Sequence, residues 1–296
     1  MERLRAELSH LLGEPLSRME CISKSPENSL WSLYDERGQA MPLLAKCYTS
    51  PGLAARIAWK MSLLARHATV RVPVVYGVVT HDNSAAPDVL LIERLRGVSV
   101  EAPARTPQRW EQLKDEIVEA LLSWHRVDSH GCVGDVDSTQ ENLWSDWYRQ
   151  RVEVLWSTLN QFQSSGLSMQ DKRILFRTRE ALPQLFDNFS DGCVLVHGNF
   201  TLRSMLKDAR SDQLTAIVNP GAILWAPREY ELFRLQEQGL PESLLWHYLQ
   251  RAPVAESFMW RRWLYVLWSE IARLVSSGRM NRPAFDAAAK ALLPWL

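Results

Sequence analysis

Apolar and polar positions in the first third of the chain fall into short runs with strand character. Leu30 to Tyr34 and Leu43 to Tyr48 carry alternating or continuous apolar residues, and the turn-like segment Asp35-Glu36-Arg37-Gly38 lies between them. That is the pattern of a β-hairpin. Thr49 and Ser50 followed by Pro51 open a helix in which Leu53, Ile57, Met61 and Leu64 recur near helical spacing until His67. Val72 to Val79 and Val89 to Glu93 are rich in branched aliphatic residues and flank the polar, proline-containing stretch His81 to Pro87, a second hairpin signal. The order from about residue 20 to 98 is thus β-β-α-β-β. Before it, Met1 to Leu12 mixes Glu2, Arg3, Arg5 and Glu7 with Leu4, Leu8, Leu11 and Leu12, which predicts an amphipathic helix rather than a cleavable leader.

After Gly97 the period lengthens. Thr106-Pro107 starts a helix whose stripe is Trp110, Leu113, Ile117, Leu121 and Trp124. Helical spacing also fills roughly 139 to 162, 168 to 186, 228 to 250 and 254 to 276, with Ser168 and Asp171 placed as a capping box. One strand-rich interlude interrupts these helices: Val194 to His197, then Ser204 to Leu206 and Leu214 to Val218 around the polar turn Lys207 to Gln213. The expectation is an α+β protein with a β-rich lobe, 1–98, and a mainly helical lobe, 99–296, its site in the interlude.

Composition narrows the function classes. At 46% hydrophobic residues the 296-residue chain can bury a large core. Lysine plus arginine equals aspartate plus glutamate, 34 each, so the broad positive footprint of a nucleic-acid binder is missing. Cys21, Cys47, Cys132 and Cys193 lack paired C-x-x-C spacing, which speaks against a zinc site or a disulfide framework and for a reducing cytosol. No run reaches the roughly 18 to 20 apolar residues of a membrane span, so a cytoplasmic protein with no membrane partner is expected.

Within the interlude, Val194-Leu195-Val196-His197-Gly198-Asn199 is a strand running into a polar loop, and Leu214 to Asn219 is a second strand ending in an amide. Val89-Leu90-Leu91-Ile92-Glu93-Arg94-Leu95-Arg96-Gly97 precedes them, with Leu122-Ser123-Trp124-His125 between and Glu229-Tyr230-Glu231-Leu232 after. In that order these segments resemble the aminoglycoside phosphotransferase, fructosamine kinase and choline kinase superfamily over nearly the whole chain. The resemblance implies a two-lobed protein-kinase-like fold with a small antiparallel N-lobe. It also implies ATP with magnesium as cofactors and a small molecule or nucleotide as ligand.

Phosphoryl transfer asks for a lysine on the α and β phosphates, oxygen ligands for magnesium and a carboxylate to take the hydroxyl proton. By the resemblance, Lys46 is the phosphate lysine, Glu93 and Leu95 belong to the nucleotide hinge, and His197 braces the catalytic loop by hydrogen bonding. A solvated strand-edge lysine is the alternative for Lys46. Asn199 stands where the family has its catalytic aspartate, and an amide cannot accept a proton near neutral pH. Ser204 and Asn219 stand at the two metal-ligand positions, where both replacements weaken a hard-cation site. Arg203, beside Ser204, is a candidate to hold an anion or simply faces solvent. Asp208, Asp212, Glu229 and Glu231 are the carboxylates near enough in sequence to substitute, with Glu231 more suited to a structural role.

Arg37 through His81 contains no acidic residue but six arginines and lysines, so Lys46 lacks the helical carboxylate the family uses to hold its lysine. The tryptophans Trp144, Trp147, Trp156, Trp260, Trp263 and Trp268 suit either core packing, a dimer interface or an aromatic pocket, and Arg261-Arg262 suits solvent or an acidic protein partner. Three readings follow: a catalytically degenerate, pseudokinase-like module that binds a nucleotide or other ligand, or a protein partner; an active ATP-dependent phosphotransferase with an atypical metal site; and a helical scaffold without a nucleotide site.

Overall fold

Five strands, β1 (Arg18–Lys24), β2 (Asn28–Tyr34), β3 (Ala40–Tyr48), β4 (Val75–Val79) and β5 (Asp88–Glu93), form an antiparallel sheet in the order β1-β2-β3-β5-β4. They belong to a computed structural model that describes residues 2–81, 86–137, 143–161, 166–236 and 242–296. The first hairpin closes where expected: Gly38, at φ 71°, donates its N–H to Asp35 and Asp35 donates to Gln39. The tip of the second expected hairpin, 82–85, lies outside the described residues, as do 139–142 and 162 of the helix expected over 139–162 and 237–241 of the one expected over 228–250.

Alternation on β2 and β3 sends Leu33, Ala45 and Cys47 to one face, where α1 (Glu2–Leu12) covers them with Leu4 and Leu8. The other face carries Tyr48 and Leu90 under Ala54 and Met61 of α2 (Leu53–His67). β1 was not expected, and its burial explains why. Six of its seven residues are exposed and only Met19 is half-buried, so it has no apolar period to read. This sheet and its helices make one unit, Met1–Gly97 with Ala216–Val218, the latter joined through Ile217 N–H to the Arg71 carbonyl at 2.9 Å.

The second unit, Val98–Thr215 with Asn219–Leu296, is mainly helical. Its first long helix, α3 (Pro107–His125), is capped by the Thr106 hydroxyl and buries Leu113, Ile117, Leu121 and Trp124. α4 (Trp144–Gln161) and α5 (Met169–Glu180) follow, and the capping box of α5 is formed in both directions by Ser168 and Asp171. The helix expected over 168–186 breaks at Ala181 before the short α6 (Leu182–Leu185), which Pro183 opens. The one expected over 228–250 divides into α7 (Glu229–Leu232), a 3-10 turn at Phe233–Gln236 and α8 (Glu242–Arg251). α9 (Phe258–Ser277) packs on an unexpected last helix, α10 (Arg282–Leu292). Trp144 and Trp268 lie in the core, while Trp260 stacks on Trp295 at 5.0 Å. No helix among the described residues is long and apolar enough to cross a membrane.

Two small sheets remain. β6 (Val98–Ser99), β9 (Met205–Lys207) and β10 (Leu214–Ile217) form one, and β7 (Gly134–Asp135), β11 (Leu224–Pro227) and β8 (Cys193–Val196) the other.

Candidate active site

β8 delivers the His197-Gly198-Asn199 loop, and β11 holds it in register by pairing Leu224 with Val196. The loop is fitted tightly to the segment that precedes β11. Gly198 has φ 76°, and a Cβ there would stand 2.2 Å from the Ala222 carbonyl oxygen, so only glycine fits. Gly221 N–H donates to the His197 carbonyl at 3.1 Å, and Asn199 Nδ2 donates to the Asn219 carbonyl at 2.9 Å. The loop's two asparagines are therefore neighbours, 20 positions apart in sequence.

Glu231, on α7, fastens the loop from behind. Its carboxylate accepts the backbone N–H groups of His197 at 2.5 Å, Gly198 at 3.0 Å and Phe200 at 3.2 Å. Burial pushes this carboxyl above its ordinary range, while Arg234 and the three N–H groups pull the other way. The bracing expected of the His197 side chain takes a different form. Neither ring nitrogen has a hydrogen-bond partner among the described residues. Instead the imidazole stacks on Trp124 at 5.5 Å and meets Phe200 edge-on. Burial, with Arg234 nearby, lowers its pKa to about 3, which keeps it neutral.

Ser204 is buried and turned inward. Its hydroxyl donates to the Thr201 carbonyl at 2.8 Å and accepts the Thr201 N–H at 3.0 Å, closing the short turn that follows Asn199. Asn219 is exposed and left-handed at φ 54°, a conformation asparagine tolerates better than most residues. Arg203 reaches Glu101, with Nε 2.8 Å from the carboxylate, so its charge is matched.

The carboxylates considered as substitutes are occupied. Asp208 accepts from the Arg210 and Ser211 N–H groups inside its turn. Asp212 pairs with Lys207 at 2.8 Å. Glu229 pairs with Arg261 through two bonds of 2.7 and 2.9 Å, so Arg261 is a core residue rather than a solvated one. No group of three or more His, Cys, Asp or Glu among the described residues could hold a metal ion. The oxygens at 204 and 219 are one engaged hydroxyl and one amide, a donor set that does not fit a hard divalent cation.

In the first unit, Lys46 lies on β3 opposite Leu90. It is half-buried, and burial lowers its pKa. Its ammonium stands 5.6 Å from the Tyr48 ring centroid and has no ion pair among the described residues. The Glu93 carboxylate is engaged: it accepts from Arg71 and, at 3.4 Å, from the Val74 N–H. The Glu93 N–H donates to the Val74 carbonyl at 2.8 Å, and Leu95 beyond it is half-buried.

Sequence reasoning missed the surroundings of Asn199. A cavity of about 470 Å³ beside it is walled by Tyr230, Trp268 and the arginines Arg151, Arg234 and Arg273. These come from α4, the turn after α7, and α9, so no linear spacing announces them.

Residues 44–264 match the model of the family described as Phosphotransferase enzyme family. The "Uncharacterized protein YcbJ" of Escherichia coli (strain K12) is 69% identical over 296 residues, 100% of both chains. Among solved structures, a Thermobifida fusca YX-ER1 protein named for fructosamine-3-kinase aligns with a TM-score of 0.69 at 20% identity, covering 99% of each chain. A thermostable mutant of aminoglycoside phosphotransferase APH(4)-Ia, in ternary complex with ADP and hygromycin B, aligns with a TM-score of 0.69 at 15% identity over 97% of this chain and 96% of that one. The solved structures share the kinase-like fold, and the sequence match carries the rest: this chain belongs to the phosphotransferase enzyme family.

Proposed function

We propose that this protein is a degenerate phosphotransferase, one that binds a nucleotide through Lys46 and the backbone around Glu93 and Leu95 but transfers phosphoryl groups slowly or not at all. The observation that carries the reading is the Asn199–Asn219 bond. Asn199 spends its amide N–H on a backbone carbonyl, and its remaining oxygen is a poor base. A missing general base costs roughly 10² to 10⁴ in rate. The engaged Ser204 hydroxyl compounds the loss, because a triphosphate brings its charge to the site with a divalent ion that needs anionic oxygens.

Nucleotide binding is supported separately. Lys46 keeps its strand position and has no carboxylate partner among the described residues, so its charge is available to a phosphate. The same lysine favours the second reading, an active phosphotransferase, because transfer is largely dissociative and depends on positioning more than on a base. The family match over 44–264 counts against a scaffold whose motif order is coincidental.

Thermal-shift titration with ATP, with and without magnesium and with Lys46→Ala as control, tests the proposal alongside a phosphoryl-transfer assay. Stabilisation by ATP that needs no metal, vanishes in Lys46→Ala and comes without turnover is expected. Metal-dependent stabilisation with phosphorylation of an alcohol or amine at ordinary rates overturns it.

A further inference from the structure

The cavity beside Asn199 lies wholly within the second unit, and its charge is one-sided. Arg151, Arg234 and Arg273 line it, and none of its lining residues is Asp or Glu. A cavity of about 470 Å³ is of small-molecule size. Glu270 stands 3.4 Å from Arg273 and offsets that charge in part. Arg151 and Arg234 have no ion pair among the described residues; their guanidinium carbons lie over the rings of Trp147 at 5.8 Å and Phe233 at 4.8 Å, and the Arg234 charge is felt by the buried Glu231 carboxylate behind it.

Arg234 is the more telling of the two. Its Nε is buried and lacks a hydrogen-bond partner among the described residues, and so does the indole N–H of the buried Trp268 in the same wall. Unpaired buried donors are costly, and both residues line the same cavity. A guanidinium is a planar fork matched to carboxylate and phosphate oxygens. The rings of Tyr230 and Trp268 add flat apolar walls that a polar anion alone would not use.

We propose that this cavity binds a small oxyanion, a carboxylate or phosphate carried on an aromatic or other flat apolar body, with Arg234 and Arg151 holding the anionic group. The inference goes beyond nucleotide binding at Lys46 and does not depend on it. A polycationic ligand would meet three arginines and no carboxylate in the wall, so the chemistry selects against amines.

Phenyl phosphate and benzoate are the probes, with benzyl alcohol and benzylamine as neutral and cationic controls, titrated calorimetrically without nucleotide. Either anion is expected to bind, and the preferred one identifies the oxyanion. The neutral and cationic controls are not expected to bind. Arg151→Gln with Arg234→Gln is expected to weaken the affinity at least about tenfold, whereas Lys46→Ala leaves it unchanged, which separates this cavity from the nucleotide site. Arg151 is exposed on α4, so Arg151→Gln alone serves if the double variant fails to fold, with a weakening of roughly threefold expected. Benzylamine binding as well as the anions, neither anion binding, affinity untouched by the arginine variants, or binding lost in Lys46→Ala each overturns the proposal.

Discussion

Arg282 grips Asp171 through two parallel hydrogen bonds, from its two terminal nitrogens to the two carboxylate oxygens at 2.7 and 2.8 Å. The same carboxylate closes the capping box of α5 by accepting the Ser168 N–H. One buried acid thus starts α5 and fastens the first turn of α10 to it. Burial pushes the Asp171 carboxyl up, but the bonds from Arg282 and Ser168 outweigh that and leave it below the usual carboxylate range. A depressed folded-state pKa gives stability that is present above the unfolded value, near 4, and is lost as pH falls below it. Asp171→Asn is expected to lower stability at pH 7 by about 1 to 2 kcal/mol, because Arg282 is half-exposed and retains Asp286. Urea unfolding at pH 7 and pH 3 checks both: the difference between variant and parent should shrink at pH 3, and a constant difference would show that the ion pair is not its source.

Glu231 satisfies three backbone donors at once, so its removal should cost more than the loss of a surface acid. Glu231→Ala strands the N–H groups of His197, Gly198 and Phe200 in a buried site, each unsatisfied donor costing about 1 to 3 kcal/mol. A total loss of several kcal/mol is expected. Glu231→Gln keeps one acceptor oxygen but turns an NH₂ toward the remaining donors, so it should fall between parent and alanine variant. Hydrogen exchange localises the effect: the amides of 197–200 should lose protection before the rest of the second unit does. Uniform loss across the chain would mean that Glu231 supports the fold at large rather than this loop.

How much of this was legible in the chain depends on whether a feature has a period. Ala45, Lys46 and Cys47 alternate, so the side of the sheet that Lys46 takes could be read before any coordinates. β1 could not, because as an exposed edge strand it buries almost nothing. α10 does carry a period: Phe285, Ala288, Ala289 and Leu292 recur at helical spacing after the cap Asn281 and Pro283. At the site, the order His-Gly-Asn then Asn marks the loop, because covalent neighbours stay neighbours. The inward turn of the Ser204 hydroxyl depends on where the backbone of Thr201 points, which residue type does not encode. The arginines around Asn199 come from three elements, and their convergence exists only once those elements pack.

His125 and His197 should make the fold acid-sensitive. Burial, with Arg228 near His125 and Arg234 near His197, lowers each pKa to about 3. Both rings are neutral when folded and gain a proton when unfolded once pH drops below about 6.5. Folded-state pKa values below the unfolded value mean full stability above about 6.5, lost as pH falls toward 3, at about 1.4 kcal/mol per pH unit for each ring. His197→Phe keeps the stack on Trp124 and removes one titrating group. Its stability at pH 7 should lie within about 1 kcal/mol of the parent, and its slope between pH 6 and 4 should be about one proton shallower. A loss of several kcal/mol at pH 7 would instead reveal a hydrogen bond made by the imidazole.

Restoring a carboxylate at position 199 is the most direct test of degeneracy, and the geometry says it will not be free. Asn199 Nδ2 donates to the Asn219 carbonyl; in Asn199→Asp that contact sets a carboxylate against a carbonyl oxygen. Stability should fall by about 1 to 3 kcal/mol at pH 7, and much of the loss should return at pH 3, where a protonated acid can donate again. Asn219→Asp should be milder, since aspartate also tolerates the left-handed backbone that the exposed Asn219 adopts. Asn199→Asp alone is expected to leave phosphoryl transfer near background, because Ser204 remains committed to Thr201. Combining Asn199→Asp, Ser204→Asn and Asn219→Asp supplies a base and metal oxygens together, and magnesium-dependent ATP turnover should appear only there. Turnover by the unaltered chain that exceeds that of the triple variant would show that the asparagines are the working form of this site.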